Sequence, residues 1–325
     1  MSLTRRHILA GSAAIGTAAA SGLPMLGSAR AAAPMAGKQA PGFYRHKIGD
    51  YEVTILNDGV AEAPLGGIRA PAEEVNAALE AAFLPKGKLS PPFNVTLVNT
   101  GSKLILIDTG NGVNPARPTA GLAMTNLAAA GIEVKAIDTV VISHFHGDHI
   151  GGLVNAQSAA IFPNAEIMVP AKEWAFWTDD GNASRASDGM KPAFANVKRV
   201  FGAYNNKVTQ YEAGKDVAPG ITAMDTAGHT PGHTSFTVAS GSGKLLVQGD
   251  VTALISVLIT QRPEWAIGGD ADPAKAVETR RKVYDMLAAE RMLMTGYHFP
   301  FPAMGYIEKA GNGYRYIPAP WNPVV

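Results

Sequence analysis

Short apolar runs alternate with turns rich in Gly, Asn and Asp from residue 42 to the end of the chain. The alternating run at 51–56, followed by Asn57-Asp58-Gly59, is typical of a strand that ends in a turn. Asp272 and Pro273 place a capping acid before a proline, which predicts a helix that continues to about Ala289. Further strands are predicted at 94–99, 103–107, 137–142, 165–169, 221–224, 235–239, 244–247 and 291–294, and a further helix at 121–130.

Strands outnumber helices in both halves of this pattern, which favours two β-sheets with helices packed on their outer faces. The stretch 174–211 has weaker periodicity, so we expect it to form a long loop or a pair of short helices. The sequence therefore predicts a single α+β domain over residues 42–325. A flexible linker is expected at 32–41.

The first 31 residues follow the order of an export signal. Arg5 and Arg6 precede an apolar stretch rich in Ala and Gly, and Ala29-Arg30-Ala31 offers a cleavage site of the A-x-A type. This order resembles a bacterial twin-arginine signal, which implies that residues 1–31 are removed from a periplasmic or secreted protein. The apolar stretch is too short to span a bilayer well, so no stable membrane insertion is expected.

Composition excludes several kinds of site. The chain has 325 residues, of which 46% are hydrophobic and 17% charged, enough to build a buried core. It contains no cysteine, which excludes disulfides, thiolate metal ligands and cysteine nucleophiles. The formal charge is +1, and loss of the three arginines in residues 1–31, which contain no acid, leaves −2. This charge does not favour nucleic acid as a partner.

Four candidate metal ligands lie within six residues, directly after the predicted strand 137–142. They are His144, His146, Asp148 and His149. On a turn, the first two side chains can point in one direction while the last two face an adjacent position. Imidazole and carboxylate groups are the ligands expected of zinc and its neighbours, so the segment offers two pairs of metal ligands.

The H-x-H-x-D-H form of this segment resembles that of the metallo-β-lactamase superfamily, and the other motifs of that family appear in the same order. Asp108 lies in Ile-Asp-Thr-Gly, His229 and His233 lie in Gly-His-Thr-Pro-Gly-His, and Asp250 and His298 follow. The resemblance implies a four-layer αβ/βα sandwich with a binuclear metal site at the sheet edge. It assigns His144, His146 and His229 to one ion, and Asp148, His149 and His298 to the other, with Asp250 spanning both.

The resemblance also implies a reaction. Two divalent ions held about 3.5–4 Å apart can share a hydroxide, lower its pKa and polarise the bond under attack. Zn²⁺ is the expected metal, with Mn²⁺, Co²⁺ and Fe²⁺ as alternatives. Asp250, with Asp148 as second choice, is the candidate that carries the proton to the leaving alkoxide. Asp108 and His233 are expected to orient ligands through hydrogen bonds.

Within the superfamily, the chain is most similar to the secreted methyl-parathion-hydrolase and quorum-quenching lactonase group. The export signal, Pro91-Pro92-Phe93-Asn94 and the His-Phe-Pro-Phe-Pro segment at 298–302 carry this similarity. It implies hydrolysis of acyl-homoserine or aryl lactones or of other neutral esters, with organophosphate triesters as a related or side activity. Ala253 stands where lactonases with a catalytic tyrosine carry that residue. A phosphotriesterase as main activity, a β-lactamase, a thioesterase and a non-catalytic zinc-binding module stay open as alternatives.

Five apolar residues are candidates for the substrate pocket, because they lie beside metal motifs or in the 174–211 excursion. No Arg or Lys falls next to a metal motif in the sequence, which favours a small, neutral ester or lactone as substrate. For Trp174, packing of a helix onto the sheet is the alternative. A homodimer is left open. The pocket candidates are Phe93, Trp174, Trp177, Leu254 and Phe299.

Overall fold

Two seven-stranded sheets form the framework of the protein in a computed structural model, which describes residues 35–204 and 207–325. The strands of the first sheet are β1 (Phe43–Ile48), β2 (Tyr51–Val60), β6 (Pro92–Asn99), β7 (Leu104–Ile107), β8 (Thr139–Val141), β9 (Glu166–Pro170) and β10 (Val208–Tyr211), and they lie side by side in this order. The strands of the second sheet are β11 (Asp216–Ala218), β12 (Ile221–Asp225), β13 (Thr234–Ser240), β14 (Gly243–Val247), β16 (Leu293–Thr295), β17 (Met304–Ala310) and β18 (Gly313–Pro318), again in order across the sheet.

Two small two-stranded sheets flank this framework. They pair β3 with β5 and β4 with β15. Their bounds are β3 (Ala63–Pro64), β4 (Ile68–Arg69), β5 (Lys88–Leu89) and β15 (Ala266–Ile267).

The central strands are apolar along most of their length because both of their faces are buried. In β7, Ile105 and Ile107 belong to the core between the two sheets, while Leu106 belongs to the core on the outer face of the first sheet. In β14, Leu245 likewise belongs to the core between the sheets, whereas Leu246 packs with the outer core of the second sheet. Successive side chains of a strand point to opposite faces, so a continuous apolar run serves two cores at once.

Helices cover the outer faces of both sheets. Leu127 of α2, Trp177 of α4 and Val197 of α6 lie in the outer core of the first sheet, and Tyr284 and Leu287 of α8 lie in that of the second. The predicted four-layer αβ/βα sandwich is therefore confirmed. The helices are α1 (Ala72–Ala81), α2 (Ala123–Ala129), α3 (Gly147–Ile150), α4 (Ala171–Trp177), α5 (Asp180–Arg185), α6 (Lys191–Gly202), α7 (Ser256–Gln261) and α8 (Pro273–Glu290).

Helix α8 begins as its sequence predicts. The side chain of Asp272 accepts a hydrogen bond from the backbone N–H of Lys275 at 3.0 Å, and Pro273 occupies the first helical position. The cap satisfies one backbone donor that the first helical turn leaves free.

Of the two forms expected for 174–211, the pair of short helices is confirmed by α5 and α6, whereas the end of α4 and the strand β10 were not expected. In α6 the side chains of Phe194, Val197 and Phe201 are buried in the outer core of the first sheet. Because the helices are short, only a few residues form the apolar face of each one. The helical periodicity in the sequence is therefore weak.

The predicted export signal at 1–31 and the first part of the predicted linker lie outside the described residues. Residues 35–42 carry no regular secondary structure, and Ala40–Val325 forms one compact unit. Among the helices of the described residues, none combines the length and the apolar character that crossing a membrane would require.

Candidate metal centre

All seven predicted metal ligands lie just beyond the carboxyl ends of strands from both sheets. The segment that follows β8 provides four of them, and the segments after β12, β14 and β16 provide one each. Neighbouring parallel strands, such as β14 and β16, bring their carboxyl ends to the same edge of a sheet. The ligands after β8 are His144, His146, Asp148 and His149, and the others are His229, Asp250 and His298.

The first group of ligands has three imidazole nitrogens and one carboxylate oxygen. The Nδ1 atom of His146 lies 2.9 Å from Nε2 of His229 and 3.1 Å from Nε2 of His144. The Oδ2 atom of Asp250 lies 3.3 Å from Nε2 of His229 and 3.9 Å from Nε2 of His144. These four atoms all lie within 4.8 Å of one another, close enough to bind one metal ion.

The second group shares Asp250 with the first. The Nε2 atom of His298 lies 3.3 Å from Oδ2 of Asp250 and 3.8 Å from Oδ2 of Asp148. The Nε2 atom of His149 lies 3.4 Å from Oδ1 of Asp250. Asp250 is thus the carboxylate that both groups have in common.

Two buried polar atoms in this arrangement show that the residues fit divalent ions. Among the described residues, Nε2 of His149 and Oδ1 of Asp250 find no hydrogen-bond partner, although both side chains are at most 3% exposed. A buried polar atom without a partner costs free energy, and a metal ion bound between such atoms removes this cost. The donor set of imidazole and carboxylate suits Zn²⁺ and similar ions.

The pKa values of the ligands follow from the same crowding. Burial lowers the pKa of His146 to about 3, helped by the neighbouring His229. Burial also acts to lower the pKa of His229, but hydrogen bonds with Asp250 and Asp270 outweigh it and raise the pKa to about 9. Burial opposes ionisation of Asp250, yet His298 and His149 hold its pKa well below the usual range. The carboxylates of Asp250 and Asp270 favour the protonated, positively charged form of His229. The same negative charge also favours binding of a divalent cation.

Asp108 orients the segment after β8. Its Oδ2 atom accepts hydrogen bonds from Nδ1 of His149 at 2.8 Å and from the hydroxyl of Ser143 at 2.7 Å, while Oδ1 accepts from the backbone N–H of Ser143 at 2.8 Å. The φ angle of Asp108 is 62°, a left-handed conformation that is strained for a residue with a Cβ atom. A carboxylate behind a ligating histidine fixes the ring orientation, which is the role expected of Asp108.

His233 acts on the backbone next to the shared carboxylate. Its Nε2 atom accepts a hydrogen bond of 2.9 Å from the backbone N–H of Asp250, and its Nδ1 atom lies 2.8 Å from the hydroxyl of Thr226. The contact requires glycine at position 249, because φ is +57° there and a Cβ atom would lie 2.8 Å from Nε2 of His233. His233 thus lies outside the two ligand groups and positions Asp250.

Two buried side chains behind His229 carry no motif that identifies them in the sequence. Oδ1 of Asp270 lies 2.8 Å from Nδ1 of His229, and its Oδ2 atom accepts from the backbone N–H of Ile267. The guanidinium of Arg280 lies 3.9 Å from Asp270 and donates to the backbone carbonyls of Val251, Pro263 and Trp265. The fixed ring of His229 therefore depends on a carboxylate 41 residues away.

A third buried carboxylate connects the two main ligand segments. Glu173 of α4 accepts hydrogen bonds from the backbone N–H groups of Phe145 and Gly232 and from Nε1 of Trp177. Burial raises the pKa of this carboxyl despite these donors. Phe145 and Gly232 belong to the segments that carry His146 and His229, so Glu173 holds these segments together. A single Glu in a short helix gives no sequence signal for this role.

A cavity of about 330 Å³ opens over both ligand groups. Its lining includes ligands from each group and, beside them, a largely apolar surface, to which Phe93 and Leu254 contribute. We call this surface the cavity wall. The cavity wall consists of Ala61, Ala63, Gly67, Pro91, Phe93, Ala253, Leu254, Ile267, Gly268 and Gly269, with Glu62 and Arg117 as its charged members.

Three of the five predicted pocket residues do not line this cavity, so that part of the prediction is wrong. Trp174 packs against Phe145 and Phe201 in the outer core of the first sheet, with ring centroids 6.4 and 5.5 Å away. Trp177 is 4% exposed and donates to Glu173, and Phe299 is fully buried in the outer core of the second sheet. Their proximity to metal motifs along the chain did not reveal which sheet face they cover.

The expectation of a site without a basic residue also needs correction. Arg117 follows β7 by ten residues, yet its guanidinium lines the cavity. Its Nη1 atom lies 3.5 Å from Oδ2 of Asp148. No local pattern indicated this approach, because Arg117 belongs to no metal motif.

Comparison with known proteins yields a consistent set of similarities. The family model described as the metallo-beta-lactamase superfamily matches residues 92–290. The crystal structure of AbOPH, a hydrolase in the beta lactamase superfamily, is 31% identical, with a TM-score of 0.81 over 88% of this chain and 100% of that chain. The structure of AidC, a dizinc quorum-quenching lactonase in complex with the product N-hexanoyl-L-homoserine, is 29% identical, with a TM-score of 0.79 over 86% of this chain and 98% of that chain.

Similarity to curated proteins is weaker. The uncharacterized protein YobT of Bacillus subtilis (strain 168) is 26% identical over 133 residues, which are 41% of this chain and 54% of YobT. A probable metallo-hydrolase of Mycobacterium bovis is 24% identical over 188 residues, which span 56% of that protein. The chain thus spans about half the length of these curated relatives.

Proposed function

The chain belongs to the metallo-β-lactamase superfamily, and from this membership we propose that it is a hydrolase that opens acyl-homoserine or aryl lactones, or cleaves other neutral esters. Organophosphate triester hydrolysis is proposed as a related or side activity. The observation that carries the proposal is the apolar cavity wall directly beside two groups of metal ligands. A largely apolar concave surface with a few convergent polar groups is typical of small-molecule sites.

We propose two zinc ions as the cofactor, a choice that the similarity to a dizinc lactonase supports. When bound, two such ions lower the pKa of a water molecule and polarise the bond under attack. Three histidines would hold one ion together with Asp250, and the second group would hold the other. The first group is His144, His146 and His229, and the second is Asp148, His149 and His298.

Asp250 is the residue to which we assign proton transfer. Hydrolysis adds water across the ester C–O bond, so the leaving alkoxide oxygen must gain a proton. The carboxylate of Asp250 lies between the two ligand groups and lines the cavity, within reach of a substrate bound there. Asp148, which also lines the cavity, is the second choice because its Oδ2 atom already faces Arg117.

The cavity wall would receive the apolar part of the substrate. Phe93, Leu254 and Ile267 form an apolar surface beside the metal ligands. An acyl chain or an aryl group that packs against this surface is removed from water, which favours binding. Ala253 in this wall leaves the reaction without a tyrosine at that position. We therefore assign the proton transfer to the carboxylates.

A comparison of kcat/KM over five substrates tests the proposal: N-hexanoyl-homoserine lactone, dihydrocoumarin, paraoxon, nitrocefin and a glutathione thioester. The zinc-loaded protein should turn over one of the two lactones best, and the same protein stripped of metal serves as the control. Paraoxon as the best substrate would instead indicate a phosphotriesterase. Preference for nitrocefin or the thioester would contradict the substrate assignment, and two bound zinc ions without any turnover would favour a non-catalytic module.

We further propose that the protein is exported to the periplasm or secreted. The support is the arginine pair, the apolar stretch and the A-x-A site in residues 1–31. N-terminal sequencing of protein from the periplasm of a bacterial host with a twin-arginine pathway should find a chain that begins near Ala32. A chain that keeps residues 1–31 in that fraction would contradict the proposal.

A further inference from the structure

Arg117 is the one Lys or Arg side chain among the residues that line the cavity described above. Its side chain is 37% exposed, and the only other charged member of the cavity wall is Glu62, which forms an ion pair with Lys88. A neutral ester or lactone offers no anionic group with which the guanidinium of Arg117 could pair before hydrolysis. The surroundings of Arg117 show whether its side chain is held at the cavity.

The position of Arg117 is fixed from behind by polar contacts. Its Nη1 atom donates to the side-chain oxygen of Asn111 at 2.7 Å. Asn111 in turn donates to Oδ2 of the fully buried Asp58, through its backbone N–H at 2.7 Å and through Nδ2 at 2.9 Å. The guanidinium carbon also lies 5.3 Å from the ring centroid of Phe93, within the range of a cation–π contact. The guanidinium is therefore built into the cavity wall.

The contact with Asp148 leaves most of the guanidinium free to bind a ligand. The separation of 3.5 Å between Nη1 and Oδ2 of Asp148 is too long for a good hydrogen bond. Among the described residues, Nε and Nη2 of Arg117 donate no hydrogen bond, although a guanidinium offers five N–H donors. A partly exposed ion pair of this length contributes little to stability.

Resting on the proposed function, we infer that Arg117 recognises the carboxylate that ester or lactone hydrolysis creates. The substrate is neutral, but opening of its ring converts the acyl carbon into a carboxylate inside a cavity where Arg117 supplies the cationic side chain. A guanidinium binds a carboxylate through two parallel N–H···O bonds, which neutral molecules cannot match in charge. Arg117 is thus a specificity-determining residue that separates the acid product from uncharged molecules of the same shape.

Isothermal titration of the zinc-loaded protein with N-hexanoyl-L-homoserine, and with the uncharged amide of the same molecule, tests this inference. In Arg117→Gln the dissociation constant of the acid should rise about tenfold, the loss expected for a charge-assisted hydrogen bond. That of the amide should change by less than about twofold, since no charge pairing is lost. Arg117→Lys, which keeps the charge but loses the planar fork, should lie between wild type and Arg117→Gln.

The matched control is Arg69→Gln, which removes an exposed arginine of β4 that does not line the cavity. It should leave both dissociation constants unchanged. The zinc content of each variant is measured beside the titration, and if Arg117→Gln loses zinc, the comparison is made with Arg117→Lys. Equal weakening of acid and amide, an unchanged acid affinity, or no measurable acid binding by the wild type would overturn the inference.

Failure of the proposed function is a separate result. A wild-type protein that turns over no lactone, but binds the acid in an Arg117-dependent way, would refute the proposed activity and leave the carboxylate site standing. If the protein turns over lactones while its Arg117 variants bind the acid normally, the proposed activity stands and the role of Arg117 is refuted.

Discussion

Four of the five histidines in the candidate metal cluster have a polar neighbour on the ring nitrogen that faces away from the other ligands, whereas most side chains of the cavity wall are apolar and make no hydrogen bonds. The Nδ1 atoms of His149 and His229 face the carboxylates of Asp108 and Asp270, and Nδ1 of His298 donates to the carbonyl of Pro92. Hydrogen bonds of this kind fix direction as well as distance. The geometry of the cluster is therefore tightly specified.

The cavity wall is specified less tightly. Leu254 and Ile267 belong to a cluster of apolar residues that includes the short helices α1 and α7, and Phe93 belongs to the outer core of the first sheet. Apolar packing depends on volume more than on direction, so side chains of similar size can replace one another. The comparison indicates that the cavity wall tolerates substitution better than the cluster does.

Replacement of the shared carboxylate should have the largest effect. In Asp250→Ala both ligand groups lose their common oxygen donors, and the histidines face one another without the carboxylate. We expect kcat/KM for the best substrate to fall by about 10²–10⁴-fold, the factor that corresponds to the loss of about 3–5 kcal/mol typical of a broken buried charged network. Zinc content should fall as well. Asp188→Ala, at an aspartate whose side chain is 97% exposed, should match the wild type.

The next largest effect is expected on stability at the glycine beside His233. Gly249→Ala combines a left-handed backbone with a Cβ atom 2.8 Å from Nε2 of His233. The expected loss of unfolding free energy is about 2–4 kcal/mol from backbone strain and overpacking together. Gly214→Ala is the matched control, because its φ is +82° with nothing within 4 Å, and it should lose only about 1–2 kcal/mol. Urea denaturation measures the unfolding free energy of both variants. Equal losses in the two variants would show that the contact with His233 adds no cost.

Loss of the carboxylate behind His229 should weaken metal binding without abolishing it. In Asp270→Asn the ring of His229 keeps a hydrogen-bonding neighbour but loses the negative charge at 2.8 Å. We expect zinc affinity, measured by competition with a chelator, to fall about 10–100-fold, as for other partners of metal-bound histidines. Asp272→Asn provides the control, since asparagine caps a helix as well as aspartate does. Equal affinities in the two variants would show that Asp270 does not act through the metal ligand.

Truncation in the cavity wall should have the smallest effect and should change selectivity. Leu254→Ala removes hydrocarbon from the wall, and we expect the preference for a decanoyl over a butanoyl homoserine lactone, as a ratio of kcat/KM, to fall about 3–10-fold. Val113→Ala, at a residue that is 68% exposed and does not line the cavity, is the control. An unchanged ratio in Leu254→Ala would place the acyl chain elsewhere.

The fold was predictable to the level of its four layers. Strands buried on two faces leave continuous apolar runs such as 137–142, and a capped helix such as α8 carries its own start signal. The stretch 174–211 was harder to predict, because its helices are short and are stabilised by packing of residues such as Phe194 on the first sheet. Tertiary contacts of this kind leave little trace in local periodicity.

The sequence by itself determined the identity of the seven ligand candidates and their order. A metal requires particular residue types, and a turn after a strand can place several of them within a few positions, as His144 to His149 show. Asp108 and His233 were also predicted, because Ile-Asp-Thr-Gly and Gly-His-Thr-Pro-Gly-His resemble motifs of the family. Their surroundings in the structure agree with a role in orienting ligands.

Only the tertiary structure decided which side chains stand behind the ligands and which form the cavity wall. Asp270, Glu173 and Arg117 reach the cluster from segments without a metal motif, and Trp177 turns away from the cavity although its ring lies 6.3 Å from that of His146. Ligand types are fixed by local chemistry, so a short motif records them. The residues of the cavity wall and the buried partners of the ligands come from segments that are distant along the chain. They come into contact only when the two sheets and their helices pack together.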